Sequence, residues 1–203
     1  MNPWPAPCRR LDRSETDRAV EVLRASFEND PAIGYFLNGP GSRFTRDIQT
    51  LVRFFIEARH LRNEPLLAVG DPLVGVAMVS RPSQPSPPEV VHIRERTWAE
   101  IGAESRARYE RFGATCEPFM VDRPRWHLNM IGVHPDAQGR GHGRTLLECV
   151  HRLSAEDPDS TGVSLVTETE SNVSLYRHFG YESTGRAAVT EDLHIWCMFR
   201  ADP

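Results

Sequence analysis

The sequence predicts a single mixed α/β domain, and three observations carry that expectation. Its 203 residues suffice for one compact domain with a substantial core. Short β-prone runs alternate with segments of helical period, the pattern of a sheet flanked by helices. One of the strands runs into a glycine-rich turn that opens a helix: Val133-His134-Pro135-Asp136-Ala137-Gln138-Gly139-Arg140-Gly141-His142-Gly143-Arg144. Residues 1–203 are therefore taken as one domain, with 1–7 expected to be flexible.

Taken in order, Leu11 to Ser14 reads as a strand end followed by a helix start, with Ser14 as the cap and Asp17 completing a capping box. Val20, Leu23 and Phe27 share one helical face, and Asp30-Pro31 punctuates that helix. A second helix is expected from about Phe44 to Leu61, with Ile48, Leu51, Val52, Phe55 and Ala58 as its apolar stripe. Leu66 to Val69 and Leu73 to Ser80, separated by Gly70-Asp71-Pro72, read as a hairpin. Ser83-Gln84-Pro85-Ser86-Pro87-Pro88 is a breaker segment, read as a surface loop. Val90 to Phe112 is charged and helical in period, with Ile93, Trp98, Ile101 and Tyr109 as its larger apolar members. Trp126 to Val133 is the expected central strand, and the helix after the glycine turn carries Leu146, Leu147, Val150 and Leu153. A strand over Gly162 to Thr167, a short helix over Val173 to Phe179 and a last strand over His194 to Phe199 complete the chain.

Composition narrows the function. Hydrophobic residues make up 39% and charged residues 26%, as in an ordinary globular protein. A net charge of -4 with interspersed signs gives no broad basic surface, so nucleic acid is not expected as a partner. The longest apolar runs are of strand length, which argues against a membrane span. The first residues lack the apolar segment of a secretory signal, so a cytoplasmic location is expected. Cys8, Cys116, Cys149 and Cys197 show no C-x-x-C pairing and are expected to be reduced thiols packed as small apolar residues. No histidine spacing suits a metal, and none is assigned.

The glycine turn has the requirements of a pyrophosphate site. Glycines let backbone amides approach an anion, the helix opening near Gly141 adds free amides and its positive dipole end, and Arg140 and Arg144 add charge. A P-loop needs a lysine that is not here, and a dinucleotide fingerprint needs its glycines tight against the strand and in another spacing. The spelling through Val133, Pro135, Gln138, Gly139, Gly141 and Gly143 resembles the signature of the Gcn5-related N-acetyltransferase (GNAT) superfamily. Asn172 to Tyr181 resembles that family's Asn-x-x-Leu-Tyr-x-x-x-Gly-Phe element. The terminal Trp196-Cys197-Met198 with Arg200 is similar to the end of puromycin N-acetyltransferase and its relatives. The specific match covers about residues 126 to 200. Where many relatives of the puromycin enzyme have Leu-Glu-Thr, this chain has Leu165-Val166-Thr167. Glu168 is near, but alternation points it to the face opposite Thr167.

The resemblance implies a GNAT-type domain: a mixed central sheet with a splayed strand pair, flanked by helices. It implies acetyl-CoA as cosubstrate, its pyrophosphate on Gln138, Gly139, Arg140, Gly141, His142, Gly143 and Arg144, and its pantetheine along Ile131, Gly132 and Val133. The Val133 amide is then the expected oxyanion donor, with Gly132 suiting close approach by the ligand. Tyr176 matches the family's common general acid, against the plainer alternative of aromatic packing. Asn172 matches a position that contacts the cofactor, or serves as a simple N-cap. His127, six residues before Val133, stands where several relatives carry a base; a packed histidine and a water chain are its rivals. His92 and Glu117 are reserves. The expected activity is acetyl transfer to a primary amine of a small molecule or peptide, by a monomer or homodimer. The alternatives are a non-catalytic CoA-binding sensor and an acyltransferase for longer acyl groups or an oxygen acceptor.

Overall fold

Asp12 opens the first helical segment. Its carboxylate accepts from the Ser14 amide at 2.8 Å, while Glu15 accepts from the Asp12 amide at 3.2 Å. The capping box is thus Asp12 with Glu15, not Ser14 with Asp17. A 3-10 turn over Arg13–Glu15 leads into α1 (Thr16–Phe27), which buries Ala19, Val20, Val22 and Leu23. A fully buried Leu or Val side chain of this kind contributes about 1.5–3 kcal/mol. The structure is a computed structural model that describes residues 7–81 and 85–203. The flexibility expected for the N-terminal tail concerns residues that, except Pro7, lie outside these, as do Ser83 and Gln84 of the breaker segment.

The Asp30-Pro31 break is also a start. Asp30 accepts from the Ile33 amide at 2.9 Å, and Pro31 takes the first position of α2 (Pro31–Leu37). Next comes α3 (Phe44–Arg62), which buries Ile48, Leu51, Val52 and Ala58 as the stripe predicts, and also Arg59. The hairpin is β2 (Leu66–Val69) against β3 (Gly75–Ser80), in register from Val69↔Gly75 to Leu66↔Met78. The two residues of β1 (Arg9–Arg10) pair on the outer edge of β2. The charged helical stretch is two helices, α4 (Pro88–Ile101) and α5 (Ala103–Cys116), because Gly102 at φ +120° breaks the continuous helical path. β4 (Trp126–Val133), α6 (His142–Ala155), β5 (Gly162–Thr167), α7 (Glu170–His178), β6 (Glu182–Ala188) and β7 (His194–Ala201) follow.

The seven strands run in the order β1-β2-β3-β4-β5-β7-β6, with β4–β5 the one parallel neighbour pair among them. On one face, α1 to α4 bury Leu23, Ile48 and Trp98 against Ala68, Val76, Met78 and Met130. On the other, α6 sets Leu146, Leu147 and Val150 against Leu67, Ala77, Trp126, Leu128 and Leu165. A third cluster gathers Cys116, Val189, Leu193, Ile195 and Cys197 below α5.

Two cysteines depart from the reduced state the sequence predicts. Cys8 and Cys149 form a disulfide, because the fold brings their Cα atoms to 6.4 Å, within reach of such a bond, across 141 residues of sequence. Cys116 and Cys197 stay free and buried, with the Cys197 thiol donating to the Cys116 carbonyl at 3.8 Å.

Candidate active site

The site begins where the sheet opens. β4 and β5 pair from Trp126↔Val163 to Leu128↔Leu165, and the ladder stops there although β4 continues to Val133 and β5 to Thr167. On its other side β4 pairs with β3 to its end, but Met78↔Met130 is followed by Val79↔Leu128, so Asn129 is an extra residue. Such a bulge bends a strand and reverses the alternation of its faces. Trp126 and Leu128 pack on the α6 side, and beyond the bulge so do Ile131 and Val133. His127 therefore lies on the opposite face from Ile131 and Val133, where simple alternation puts all three together. The His134 amide donates to Val74 O, just before β3, at 2.8 Å. By alternation the amides of Ile131 and Val133 point the other way, into the gap.

At the end of β4 the chain turns through Pro135–Ala137, and Gln138 Nε2 donates to Val133 O at 3.1 Å, pinning the turn to the strand. Gly139 at φ +74° and Gly141 at φ +84° carry the backbone through the left-handed region. The first amides of α6, from His142 to Arg144, have no acceptor within the helix, and the Thr145 amide is the first to find one, at Gly141 O. The glycines serve conformation rather than space: a Cβ at Gly139 or Gly141 would meet nothing within 4 Å. Arg140 is exposed, and the Arg144 guanidinium lies 5.1 Å over the Phe179 ring and 3.8 Å from Glu148. Gly132 has a different neighbour from the one expected. A Cβ there would sit 2.9 Å from Ser26 Cβ, so the close approach it allows is by α1. Ser26 Oγ in turn lies 2.8 Å from Val133 O, tying α1 to the end of β4.

Tyr176, on α7, packs into the α6-side core with its ring edge-on to Tyr181. Burial first, then the negative charges of Glu168 and Asp30, push its hydroxyl up to about 12. Asn172 is exposed in the first turn of α7. The cap position is Thr169, so Asn172 is not an N-cap. His127 Nδ1 lies 2.9 Å from Ser164 Oγ, and burial, then the charges of Arg125 and Arg59, push it down to about 4. His92 and Glu117 are exposed on α4 and on the turn after α5. Two further groups belong to the same region, and the motifs do not reveal them. Burial, then the charge of Asp30, pushes Glu168 up to about 8, and Asp30 itself is raised by burial. The only sequence signal for them is a carboxylate just past a strand and another at a helix cap.

Residues 94–183, which include the gap, the glycine turn and Tyr176, match the sequence profile of the acetyltransferase (GNAT) domain. That segment is a GNAT acetyltransferase domain. This acetyltransferase is 22% identical over 194 residues to an uncharacterised N-acetyltransferase of Schizosaccharomyces pombe, covering 91% of this chain and 77% of that protein. Its fold is similar to that of a histone acetyltransferase-related protein from Corynebacterium glutamicum, with a TM-score of 0.67 and 21% identity over 97% of this chain and 96% of the other. It is also similar to a mosquito arylalkylamine N-acetyltransferase-like protein, with a TM-score of 0.59 and 17% identity over 96% and 98% of the two chains. At such identities the structural likeness speaks for the fold alone. The narrower likeness to puromycin N-acetyltransferase has no counterpart among these relatives. Among the described residues no helix of this acetyltransferase is long and apolar enough to cross a membrane.

Proposed function

We propose that this GNAT protein transfers the acetyl group of acetyl-CoA directly to a primary amine of a small molecule or peptide. The observation that carries this is the gap between β4 and β5: two strands that stop pairing, with unpaired amides aimed inward and a cradle of free amides at its end. Acetyl-CoA supplies the activated acetyl group; the chain supplies position and charge. The amides from Gly139 to Arg144, with the dipole of α6 and the side chains of Arg140, His142 and Arg144, suit a pyrophosphate. Gln138 holds that turn against β4, and Ile131 to Val133 offer strand-like pairing to the pantetheine arm. The Val133 amide is the oxyanion donor, a role worth about 3–4 kcal/mol in comparable sites. Tyr176, held protonated, donates to the departing sulfur, and Asn172 lies one helical turn before it at the cofactor's edge. His127, the base expected from position, holds a transferred proton poorly once its basicity falls to about 4. One of the similar structures is named an arylalkylamine N-acetyltransferase-like protein, which puts arylalkylamines among the acceptors to test.

The test is thiol release from acetyl-CoA, with chelator present, against aminonucleosides, polyamines, arylalkylamines and peptide N-termini. Amine-dependent release, with one calorimetric acetyl-CoA site per chain, is the expected result. Tight acetyl-CoA binding with no release on any amine would make the protein a CoA-binding sensor. Preference for longer acyl-CoAs or for alcohols would move it to another acyl transfer.

A further inference from the structure

β5 alternates up to its end at Thr167, and Glu168 follows it in a bend. Leu165 packs toward α6, while Val166 packs with Cys116, Leu193, Ile195, Cys197 and Tyr35 on the other face. Carried one residue past the strand, a period of two puts Glu168 on the face of Val166 and of Ser164, the partner of His127, in keeping with the influence of Cys197 on it. There the groups that share its electrostatic surroundings are Asp30 at the head of α2, Tyr176 on α7, Cys197 on β7 and Cys116 at the end of α5. None of them is a cation, and no ion pair among the described residues engages the Glu168 carboxylate. The hydroxyl of Thr169, the next residue, is buried without a partner. Two carboxylates drawn out of water beside each other, with no counter-cation, are each disfavoured in the ionised form; a cation entering between them relieves both. Tyr176, which the same two charges influence, packs from the α6 side. Tyr176 thus packs on the α6 side of the gap, and Glu168 follows the end of β5 at its edge, where the charge of Asp30 reaches it.

We propose that Glu168, flanked by Asp30, binds the acceptor's ammonium group and takes its proton, which makes the acceptors of this enzyme amines that are cationic in solution. The inference rests on the N-acetyltransfer reading and names its substrate class and base. Glu168 removes one proton from the ammonium group and passes it to solvent. The freed nitrogen forms a bond to the acetyl carbon as the carbon–sulfur bond breaks, and the sulfur leaves with that electron pair and takes a proton from Tyr176. The second proton lost by nitrogen replaces the one Tyr176 gave. In sum, an ammonium ion and acetyl-CoA become an amide, CoA thiol and one solvent proton. Asp30 does not touch the reacting bond; it supplies field. Burial and the charge of Asp30 set Glu168 to about 8 in the free protein, so the carboxyl is neutral below that pH and ionised above it. Transfer to a cationic amine therefore rises with pH through that range and levels once Glu168 is ionised.

The experiment compares wild type with Glu168→Gln, Glu168→Asp, Asp30→Asn and His127→Ala, using phenethylamine, spermidine and the weakly basic aniline. Acetyl-CoA affinity by calorimetry reports that each variant is folded. The chain contains no lysine, so acetyl counted on the amine is not confused with side-chain self-acetylation. Glu168→Gln is expected to lower kcat on phenethylamine and spermidine at least about tenfold and to flatten the pH limb, with aniline much less affected. Glu168→Asp should recover part of the rate. Asp30→Asn keeps a good helix cap while removing charge, so it should raise KM for the cationic amines more than it lowers kcat. Wild-type rates and an intact limb in Glu168→Gln overturn the inference while leaving N-acetyltransfer standing, as does a limb lost only in His127→Ala. A wild type that acetylates none of the amines brings down the N-acetyltransfer reading itself, and this inference with it.

Discussion

Tyr176 and Tyr181 stand edge to face with ring centroids 5.5 Å apart, and the Tyr181 hydroxyl is 3.1 Å from His151 Nε2. Tyr176 itself carries one polar side-chain atom, a hydroxyl pushed up to about 12 and therefore protonated at neutral pH. Tyr176→Phe removes that atom and keeps the ring packing. It should lower kcat by about tenfold or more, the low end of what general acids contribute, and leave acetyl-CoA affinity within about twofold by calorimetry. Wild-type turnover would reduce Tyr176 to a packing residue. Tyr176 is legible in the sequence because its element has a fixed spelling from Asn172 to Tyr181. Glu168 and Asp30 are not, because their significance lies in the charge of one reaching the other, and no local pattern records that across the chain. His127 is legible by position but not by orientation: one extra residue at Asn129 turns it to the other face.

At the scale of elements, the turn into α6 makes the sharpest test. Gly141 has open space beside it but φ at +84°, so a β-branched side chain there acts through the backbone. Forcing such a residue into the left-handed region costs about 1–3 kcal/mol, and the loop would relax away from its present course. Gly141→Val is expected to weaken acetyl-CoA binding about tenfold or more, with a modest fall in Tm. Unchanged affinity in the folded variant would detach this loop from the cofactor. The long or strongly patterned elements are the ones the sequence reveals: α1, α3, the β2–β3 hairpin, β4, α6, β5 and β7 lie close to where periodicity predicts them. The missing ones lack a period to read. α2 has seven residues, β1 has two, and β6, Glu182–Ala188, is a mostly exposed edge strand that owes its shape to pairing with β7. The one helix expected over Val90 to Phe112 is divided because Gly102 sits where a turn, not a kink, was needed to lay α5 across α2.

Across the whole molecule, the disulfide between Cys8 and Cys149 fastens the chain's start to the helix that opens at the glycine turn. A link between residues so distant in sequence limits the unfolded ensemble and is worth about 5 kcal/mol on chain-entropy grounds. Alkylation under denaturing, non-reducing conditions should label two thiols, Cys116 and Cys197, and four after reduction. Four labelled thiols without reduction would return Cys8 and Cys149 to the state their spacing predicts.

The sequence by itself determined the fold class, and the spelling of its glycine turn pointed to the superfamily. These follow from local spelling and period: glycines that need positive φ, a helix start with free amides, and apolar residues at spacings of two or near 3.6. Only the tertiary structure decided which side chains share the gap. It turned His127 away from Ile131 and Val133 through a single bulge, spent the space at Gly132 on α1, and joined two cysteines that no motif links. It also brought Glu168 within reach of the charge of Asp30. The physical reason is the same in each case. Burial, electrostatic field and facing depend on distances between segments far apart in the chain, and those distances exist only once the sheet has formed.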